Sequence, residues 1–413
     1  MTARPRLSVV VASDGRPGAL RRCLLALAQS GGEAIEVIAV ADKAGLEAVA
    51  GLPFGARVKS VLQAVPNLSA ARNSGILRAS GDLVAFLDDD AVVEPTWAAA
   101  VCDAFETEPD LAAATGPVLG RDGIRLQAGP LGIDEQGREA PLPQGVPASA
   151  PPVLTLHGTN MVVRRDPLLS VGGFDPAFRF HLEAADLSLR LAASGRRLGW
   201  IPGDLVHHAA AASARRRHDG VPLGLHDVGA STAAFLRKHA PGAMADALLR
   251  LAEDQRSRLF RLARKRKLGP GDIERLMADL RAGVEAGRHR QIGTPPLENH
   301  DAQFLPLQDR AVEGDFVLAD WWFRGRALRE KAARLTRGGA RVTLVLLDPT
   351  ARAHQAVFTD GGWWEQHGGL FGRSAPDGPR LQPWRLSSRI EAEVARLTPA
   401  RFTEIPSRRF IGG

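Results

Sequence analysis

Short runs of apolar, mostly β-branched residues alternate with amphipathic segments in the first part of the chain. Residues 7–12 (LSVVVA) form one such run, which ends in the turn-prone sequence SDG, and leucines at helical spacing follow Pro17. The runs at 36–42 and 83–87 repeat the strand signal. Buried strands separated by helices predict a mostly parallel sheet that helices cover on both faces.

The rest of the chain falls into three kinds of pattern. The proline-rich stretch 141–152 predicts a loop, and strand and helix signals return after it. From 244 to about 286 the pattern is almost wholly helical, and a β-α-β unit lies within 316–348. We therefore predict a Rossmann-like α/β domain at residues 1–240, a helical segment at 241–292 and a smaller C-terminal α/β domain of unknown role at 293–413.

Composition narrows the class of protein. The chain has 413 residues, 45% of them hydrophobic and 24% charged, which suits two or three globular domains and excludes a disordered or coiled-coil chain. Cys23 and Cys102 lie far apart, so neither a disulfide framework nor a zinc knuckle is available. No stretch approaches the 18 or so apolar residues of a transmembrane helix, and we expect a cytoplasmic protein. The net charge of +7 favours anionic partners.

Three successive carboxylates, Asp88, Asp89 and Asp90, end the strand at 83–87. Ligands of parallel sheets gather at the carboxyl ends of strands, where Asp14 and Asp42 should also emerge. Clustered carboxylates raise one another's pKa unless a cation compensates, and their oxygens suit Mg²⁺ or Mn²⁺. Alternation along an extended chain places Asp88 and Asp90 on one side and Asp89 on the other. The alternative is a solvated acidic turn that caps the next helix.

Common nucleotide motifs are missing from the sequence. No G-x-G-x-x-G follows the first strand and no G-K-S/T phosphate loop occurs, which disfavours ordinary dinucleotide or P-loop chemistry. The segment 67–75 (NLSAARNSG) instead offers the guanidinium of Arg72 to a phosphate or a base edge. An ordinary helix start is the alternative interpretation of that segment.

Seven short motifs follow one another in an order that is far more specific than any one of them. They are SVVV at 8–11 with RP at 16–17, VIAVAD at 37–42, SAARNSG at 69–75, FLDDD at 86–90, GTNMVVRR at 158–165, GGFD at 172–175 and DLSLRL at 186–191. Together they resemble the family 2 glycosyltransferases of the GT-A fold. The resemblance covers roughly residues 6 to 215 and does not reach the C-terminal third.

The resemblance implies a GT-A-type domain that uses a nucleotide-diphosphate-sugar donor, with UDP or dTDP as the expected nucleotide. It also implies a Mg²⁺ or Mn²⁺ cofactor and inversion through direct attack by an acceptor hydroxyl. The positions that would bind the nucleotide-sugar are Asp42, Arg72, Asp88, Asp89, Asn160 and Met161. Those that would hold the metal are Asp88, Asp90 and His207, with His208 as the alternative to His207.

The catalytic base is where this sequence departs from the family pattern. The family usually has a second carboxylate next to the first, whereas here the segment reads Glu183-Ala184-Ala185-Asp186. We expect Glu183 to be the base, because its longer side chain can reach the space left at Ala184, and Asp186 to be structural. The reversed roles remain open. So does a catalytically silent nucleotide-sugar-binding or assembly protein of glycan biosynthesis.

Two further segments suggest partners. The basic stretch 256–267 is a candidate for peripheral contact with an anionic membrane, where lipid-linked acceptors occur, and a solvated helix face is the alternative. The aromatic, glycine-flanked cluster 361–369 (GGWWEQHGG) is a candidate for stacking on a sugar ring or for core packing. We expect a surface-glycan or lipid-linked acceptor, a place in the cytoplasm or at the inner membrane face, and no nucleic acid.

Overall fold

The computed structural model describes residues 4–30, 34–63, 65–142, 151–209, 215–298, 302–307, 312–375, 378, 381, 385–402 and 408–411. The strands are β1 (Leu7–Ser13), β2 (Ile35–Ala41), β3 (Val58–Leu62), β4 (Leu83–Asp88), β5 (Ala91–Val93), β6 (Leu111–Thr115), β7 (Val118–Leu119), β8 (Leu126–Ala128), β9 (Leu131–Ile133), β10 (Glu139–Pro141), β11 (Val153–Leu154), β12 (Asn160–Arg164), β13 (Arg197–Trp200), β14 (Val206–His208), β15 (Asp315–Trp321), β16 (Arg341–Asp348), β17 (Gln355–Phe358), β18 (Trp364–Gly369) and β19 (Arg408–Ile411). The helices are α1 (Pro17–Leu27), α2 (Lys43–Ala50), α3 (Leu68–Ile76), α4 (Trp97–Thr107), α5 (Arg165–Ser170), α6 (Glu183–Ala193), α7 (His226–His239), α8 (Met244–Arg264), α9 (Pro270–His289), α10 (Gly325–Arg337) and α11 (Leu386–Arg401).

The central sheet has seven strands in the order β13-β6-β12-β4-β1-β2-β3. All neighbouring pairs are parallel except those of β12, which runs antiparallel to β4 and β6. Every residue of β1 and β2 is buried, as the continuous apolar runs predict. One face packs against α1 and α4, and the other against α3 and α6. The prediction of a mostly parallel α/β sheet with helices on both faces is confirmed.

A smaller sheet beside the central one brings two distant segments together. Its order is β5-β14-β7-β8, and β5 pairs antiparallel with β14 so that His208 lies opposite Ala91. Because β5 starts directly after the Asp88–Asp90 turn, this pairing carries the histidines of β14 to the carboxylates.

The helical part of the chain is a bundle whose closest contact joins α7 and α9. A Cβ atom at Gly283 would lie 2.1 Å from the carbonyl oxygen of His226, and one at Gly287 would lie 2.2 Å from that of Ala230. These glycines let the two helix backbones touch. Helix α7 lies before the predicted boundary at residue 240, so the bundle includes residues of the predicted first domain.

The C-terminal sheet has the order β17-β18-β16-β15-β19, with β17 antiparallel and the other neighbours parallel. Helix α10 covers one face and α11 the other. The C-terminal sheet nevertheless shares a core with the first domain. Phe358 and Trp364 belong to the same buried cluster as residues of α1 and α4 and Val206. Trp364 is only 2% exposed, which places this part of the aromatic cluster in the core.

Candidate functional site

A cavity of about 540 Å³ lies at the carboxyl edge of the central sheet. Its walls come from the end of β1, the start of α3, the β4–β5 turn, the residues before β12, the start of α6, the loop before α7, and α8. Most of the charged side chains of the lining come from these segments, together with a few small and aromatic residues: Asp14, Arg16, Arg72, Asp88, Asp90, Gly158, Thr159, Phe180, Glu183, His208, Arg215, Arg216, Asp227 and Arg258.

A carboxylate–histidine cluster occupies one wall of the cavity. Asp88, Asp90 and His208 each offer one ligand atom, and these atoms all lie within 4.8 Å of one another. Nε2 of His208 is 3.2 Å from Oδ1 of Asp90, and its Nδ1 is 2.8 Å from the side-chain amide of Gln127. Burial favours the neutral ring, but the hydrogen bond to Asp90 and the charges of both carboxylates outweigh it and raise the pKa of His208.

His207, the expected metal ligand, points away from this cluster. Its Nε2 lies 2.8 Å from Oε1 of Glu94, and its ring centroid is 4.6 Å from that of Trp364. Successive side chains of a strand point to opposite faces, so only one of the two histidines can face the carboxylates. We therefore correct the ligand assignment from His207 to its alternative, His208.

Asp89 is fully buried and turned away from the cavity, as strand alternation predicts. It accepts a hydrogen bond of 2.7 Å from Ser13 Oγ and forms an ion pair with Arg16, which also bonds to Asp90 at 3.0 Å. Burial raises the pKa of Asp89 to about 7, although Arg16 and Ser13 oppose this shift. Asp89 therefore anchors Arg16 and does not line the cavity, although the resemblance places it among the nucleotide-sugar contacts.

Arg72 connects the two halves of the site. Its guanidinium, in a side chain that is 1% exposed, donates to Asp88 Oδ1 at 3.2 Å, to Glu183 Oε1 at 3.1 Å and to the carbonyl of Gly158 at 2.7 Å. It also lies over the ring of Phe174, 5.2 Å from its centroid. The guanidinium is planar and always charged, and its partners hold it in one orientation. It therefore fixes the distance between Asp88 and Glu183.

Glu183 is the carboxylate of α6 that lines the cavity. It begins α6, and the two residues before it, His181 and Leu182, have left-handed backbones with φ of 76° and 64°. Such strain is common where a structure forces one side chain into position. Oε1 is held by Arg72, while Oε2 is buried without a hydrogen-bond partner among the described residues. A bound hydroxyl could therefore donate to Oε2 only after a local movement exposes this oxygen to the cavity.

Asp186 lies outside the cavity in a cationic cage. Arg190, Lys238 and His239 each place a nitrogen 2.8 Å from its carboxylate. Burial alone would raise its pKa, but His239, Arg190 and Lys238 lower it to about 2. The side chain of Ala184 is buried in the hydrophobic cluster next to the sheet. The structure thus separates Glu183, in the cavity, from Asp186, in the scaffold.

The remaining expected sugar and nucleotide contacts lie beside the cavity. Asn160 is fully buried, accepts from Trp97 Nε1 at 3.2 Å and donates to the carbonyl of Asp204 at 2.7 Å. Met161 is fully buried in the core. Gly158 and Thr159 line the cavity instead, and Thr159 Oγ1 donates to Asp88 Oδ2 at 2.8 Å. The segment 158–165 therefore lies next to the cavity, but the two residues that line the cavity, Gly158 and Thr159, precede β12.

Both carboxylate oxygens of Asp42 accept hydrogen bonds from backbone N–H groups near the cavity. Its Oδ1 accepts from Gly45 N at 2.8 Å and caps α2, and its Oδ2 accepts from Gly15 N at 3.1 Å. It therefore holds the loop after β1, whose Asp14 lines the cavity.

The far wall of the cavity is basic, and its arginines come from the two basic stretches at 215–217 and 256–267. Arg215 lies over the ring of Phe180, 4.5 Å from its centroid, and bonds to Asp227 at 2.9 Å. Arg258 reaches the cavity from α8, and burial, together with the nearby charges of Arg216 and Arg261, lowers its pKa. The sequence makes Arg215-Arg216-Arg217 a candidate clamp for a diphosphate, with a solvated loop as the alternative. The stretch 256–267 has the pattern of a basic helix, which is the same whether the helix faces a cavity or solvent.

Comparison with known proteins finds a family model that matches part of the first domain. Residues 8–172 match the model described as Glycosyl transferase family 2. The matched range is less than half of the chain and includes Arg72, Asp88 and Asp90 of the cavity. Within the described residues, no helix has both the length and the apolar character that crossing a membrane requires.

Two curated relatives and one solved structure illustrate the similarity. The chain is 32% identical over 116 residues to a glucosyl-dolichyl phosphate glucuronosyltransferase of Haloferax volcanii, covering 26% of this chain and 34% of the relative. It is 29% identical over 237 residues to the O-antigen biosynthesis protein RfbC of Myxococcus xanthus, covering 53% of this chain and 18% of the relative. A structure of GalNAc-T7 with UDP, GalNAc and Mn²⁺ aligns with a TM-score of 0.43 at 16% identity, over 57% of this chain and 48% of that one. The chain thus spans about a third or less of these two curated relatives' lengths.

Proposed function

We propose that the protein is an inverting glycosyltransferase that moves a sugar from a nucleotide-diphosphate-sugar to a hydroxyl group of a glycan or lipid-linked acceptor. The observation that carries this proposal is one cavity in which Asp88, Asp90 and His208 stand on one side of Arg72 and Glu183 stands on the other. The names of the two curated relatives support a cell-envelope glycan or lipid-linked acceptor. UDP or dTDP is the proposed nucleotide.

The ligand cluster fits a divalent cation. Two carboxylates and one imidazole provide hard oxygen and borderline nitrogen donors, which suit Mn²⁺ or Mg²⁺. When bound, the ion would offset negative charge on the departing diphosphate. Thr159 and Arg72 fix Asp88, while Arg16 fixes Asp90, so the donor atoms are held in place by the protein.

Glu183 supplies the proton acceptor of this proposal. An acceptor hydroxyl that donates to Oε2 would lose its proton to Glu183 while its oxygen bonds to the anomeric carbon and the bond from that carbon to the diphosphate oxygen breaks, which releases the nucleoside diphosphate. One such base is sufficient for a single displacement, which inverts the anomeric centre. Arg72 holds the other oxygen of Glu183 and so directs the free one.

The basic far wall is proposed to stabilise the departing diphosphate. Arg216 lies close enough to His208 to oppose its protonation, and Arg258 lies close enough to Arg216 to lower its own pKa. Both arginines line the cavity. Phe180, at the same end, offers an aromatic surface to a sugar ring.

A screen of nucleotide-sugars tests the proposal. UDP-, dTDP- and GDP-linked sugars would be assayed with Mn²⁺ for binding by calorimetry and for transfer by release of the nucleoside diphosphate. Glu183→Gln should keep donor binding and lose transfer by about 10²–10⁴-fold, whereas the exposed control Glu253→Gln should change neither. A protein that binds none of these donors would refute the proposal.

The second candidate function is binding alone: the protein would bind a nucleotide-sugar without transferring the sugar to an acceptor. Ala184 favours it, because this residue stands next to Glu183 where the family usually has a second carboxylate, and alanine cannot accept a proton. Donor binding without transfer by the unmodified protein, together with recovery of transfer in Ala184→Asp, would support this function over the first.

A further inference from the structure

One short two-stranded ladder, β5 paired with β14, has the proposed metal site on one side and the C-terminal domain on the other. Asp90 directly precedes β5 and Glu94 directly follows it. On β14, His208 lies opposite Ala91, at the end of the ladder next to Asp90. Neighbouring residues point to opposite faces, so His208 faces the cavity while His207 faces the C-terminal domain.

The C-terminal domain holds the second side of this ladder through buried polar contacts. Arg401, from α11, donates to Glu94 through Nε at 2.8 Å and Nη2 at 2.7 Å. Glu94 also bonds with His207 at 2.8 Å. The guanidinium of Arg401 lies 4.1 Å from the ring centroid of Trp364, whose ring in turn packs on His207. Glu94, Arg401 and Trp364 are each 2% exposed.

The contacts continue along the chain on both sides of the ladder. Directly after Glu94 and Pro95, Thr96 donates from its backbone N to the carbonyl of Ala400 at 3.2 Å and from Oγ1 at 2.7 Å. Phe358 packs against Trp364 with ring centroids 5.3 Å apart, and both join the core cluster of the first domain. The end of α11 is thus fixed to the segment that carries Asp90 and Glu94.

We infer that Arg401 and Trp364 are positioning residues for the metal site. Arg401 holds Glu94 and Trp364 packs on His207, and these contacts orient β14 so that His208 faces Asp88 and Asp90. The inference rests on the proposed metal-dependent function. Its physical reason is that a ligand's orientation depends on the groups behind it, and here the strand that presents His208 is fixed on its other face by a second domain. The C-terminal domain therefore supports the donor site from behind, although none of its described residues lines the cavity.

Direct measurement of Mn²⁺ binding to the full chain tests this role. The free-ion resonance signal of Mn²⁺ would be followed in a titration of the parent, Arg401→Met and Arg396→Met. Arg396 is the matched control, because it lies on the same helix but bonds to Glu393 and Gln366 within its own domain. We expect about 10–100-fold weaker Mn²⁺ binding in Arg401→Met and parent-like binding in Arg396→Met. Parent-like binding in Arg401→Met would overturn the inference.

A second pair of variants separates this inference from the proposed function. His208→Ala should abolish binding at the cluster. If it binds Mn²⁺ like the parent, the metal assignment itself fails. His207→Phe keeps a ring against Trp364 and removes the hydrogen bond to Glu94, so it tests the same role should Arg401→Met not fold. We expect His207→Phe to raise the KM for donor and metal more than it lowers kcat, and an unchanged Mn²⁺ affinity in a folded His207→Phe would count against the positioning role.

Discussion

The two carboxylates of α6 give the sharpest test of the active site, because they are three residues apart and have opposite surroundings. Asp186 is fully buried between Arg190, Lys238 and His239, whereas Glu183 faces the cavity with one oxygen unpartnered. Asp186→Asn and Glu183→Gln are both near-isosteric and both remove one negative charge. We expect the first to lower stability and the second to lower transfer.

The cost of Asp186→Asn follows from its pKa. The folded state lowers the pKa from 3.8 to about 2, which corresponds to about 2 kcal/mol of stability at neutral pH. Loss of the charge also removes the ion pair of Arg190, whereas Lys238 keeps its ion pair with Asp175, so about 2–4 kcal/mol is the expected total. The parent keeps this stabilisation above about pH 4 and loses it as the pH falls toward 2, because the folded pKa is the lower one.

Urea unfolding measures the first effect and nucleotide release measures the second. At pH 7 the unfolding midpoint of Asp186→Asn should fall, while its transfer rate per folded molecule stays within a few-fold of the parent. Between pH 4 and 2 the stability difference between parent and variant should shrink. Glu183→Gln should unfold near the parent's midpoint and transfer about 10²–10⁴-fold more slowly. If Asp186→Asn loses transfer and Glu183→Gln keeps it, the assignment is reversed.

Three further outcomes can be checked. Asp90→Asn should weaken UDP binding in Mn²⁺ but not in chelator, and calorimetry that finds equal affinities would remove Asp90 from the site. Asp204 is buried and its pKa is raised to about 8, so the parent loses stability as pH rises from about 4 to 8; Asp204→Asn should remove this slope and add on the order of 2 kcal/mol at pH 7 in urea unfolding. Truncation after residue 292 should lower the thermal midpoint, because Phe358 and Trp364 share the first domain's core, and an unchanged midpoint would show independent domains.

Much of the first domain can be predicted from the sequence because its strands are buried on both faces. Continuous apolar runs at β1, β2 and β4 identify the sheet, and the carboxylates after β4 identify the edge where ligands bind. Strand alternation also predicts correctly that Asp89 faces away from Asp88 and Asp90. These features depend on local periodicity, which a sequence states directly.

Features that depend on which face a strand turns to its neighbours were harder to predict. The choice between His207 and His208 depends on the register of β14 against β5, and that register is set by contacts more than a hundred residues away. The same limit applies to the motif at β12, where Thr159 rather than Asn160 reaches the cavity because Asn160 is already buried against Trp97. A sequence motif predicts which segment lies at the site, but the packing of that segment determines which of its side chains faces the cavity.

The resemblance to a known family ends near residue 215, so it cannot identify the residues of the C-terminal domain that support the site. Glu94 comes from the family-type domain, yet its partner Arg401 lies 307 positions further along the chain. Burial of Glu94 would raise its pKa, and Arg401 and His207 together lower it to about 2, so this carboxylate is buried as an ion only because the second domain is present. An Arg near the end of an amphipathic helix carries no sequence mark of this role. The fit of the two domains, rather than either pattern alone, therefore determines how β14 presents His208 to the carboxylates.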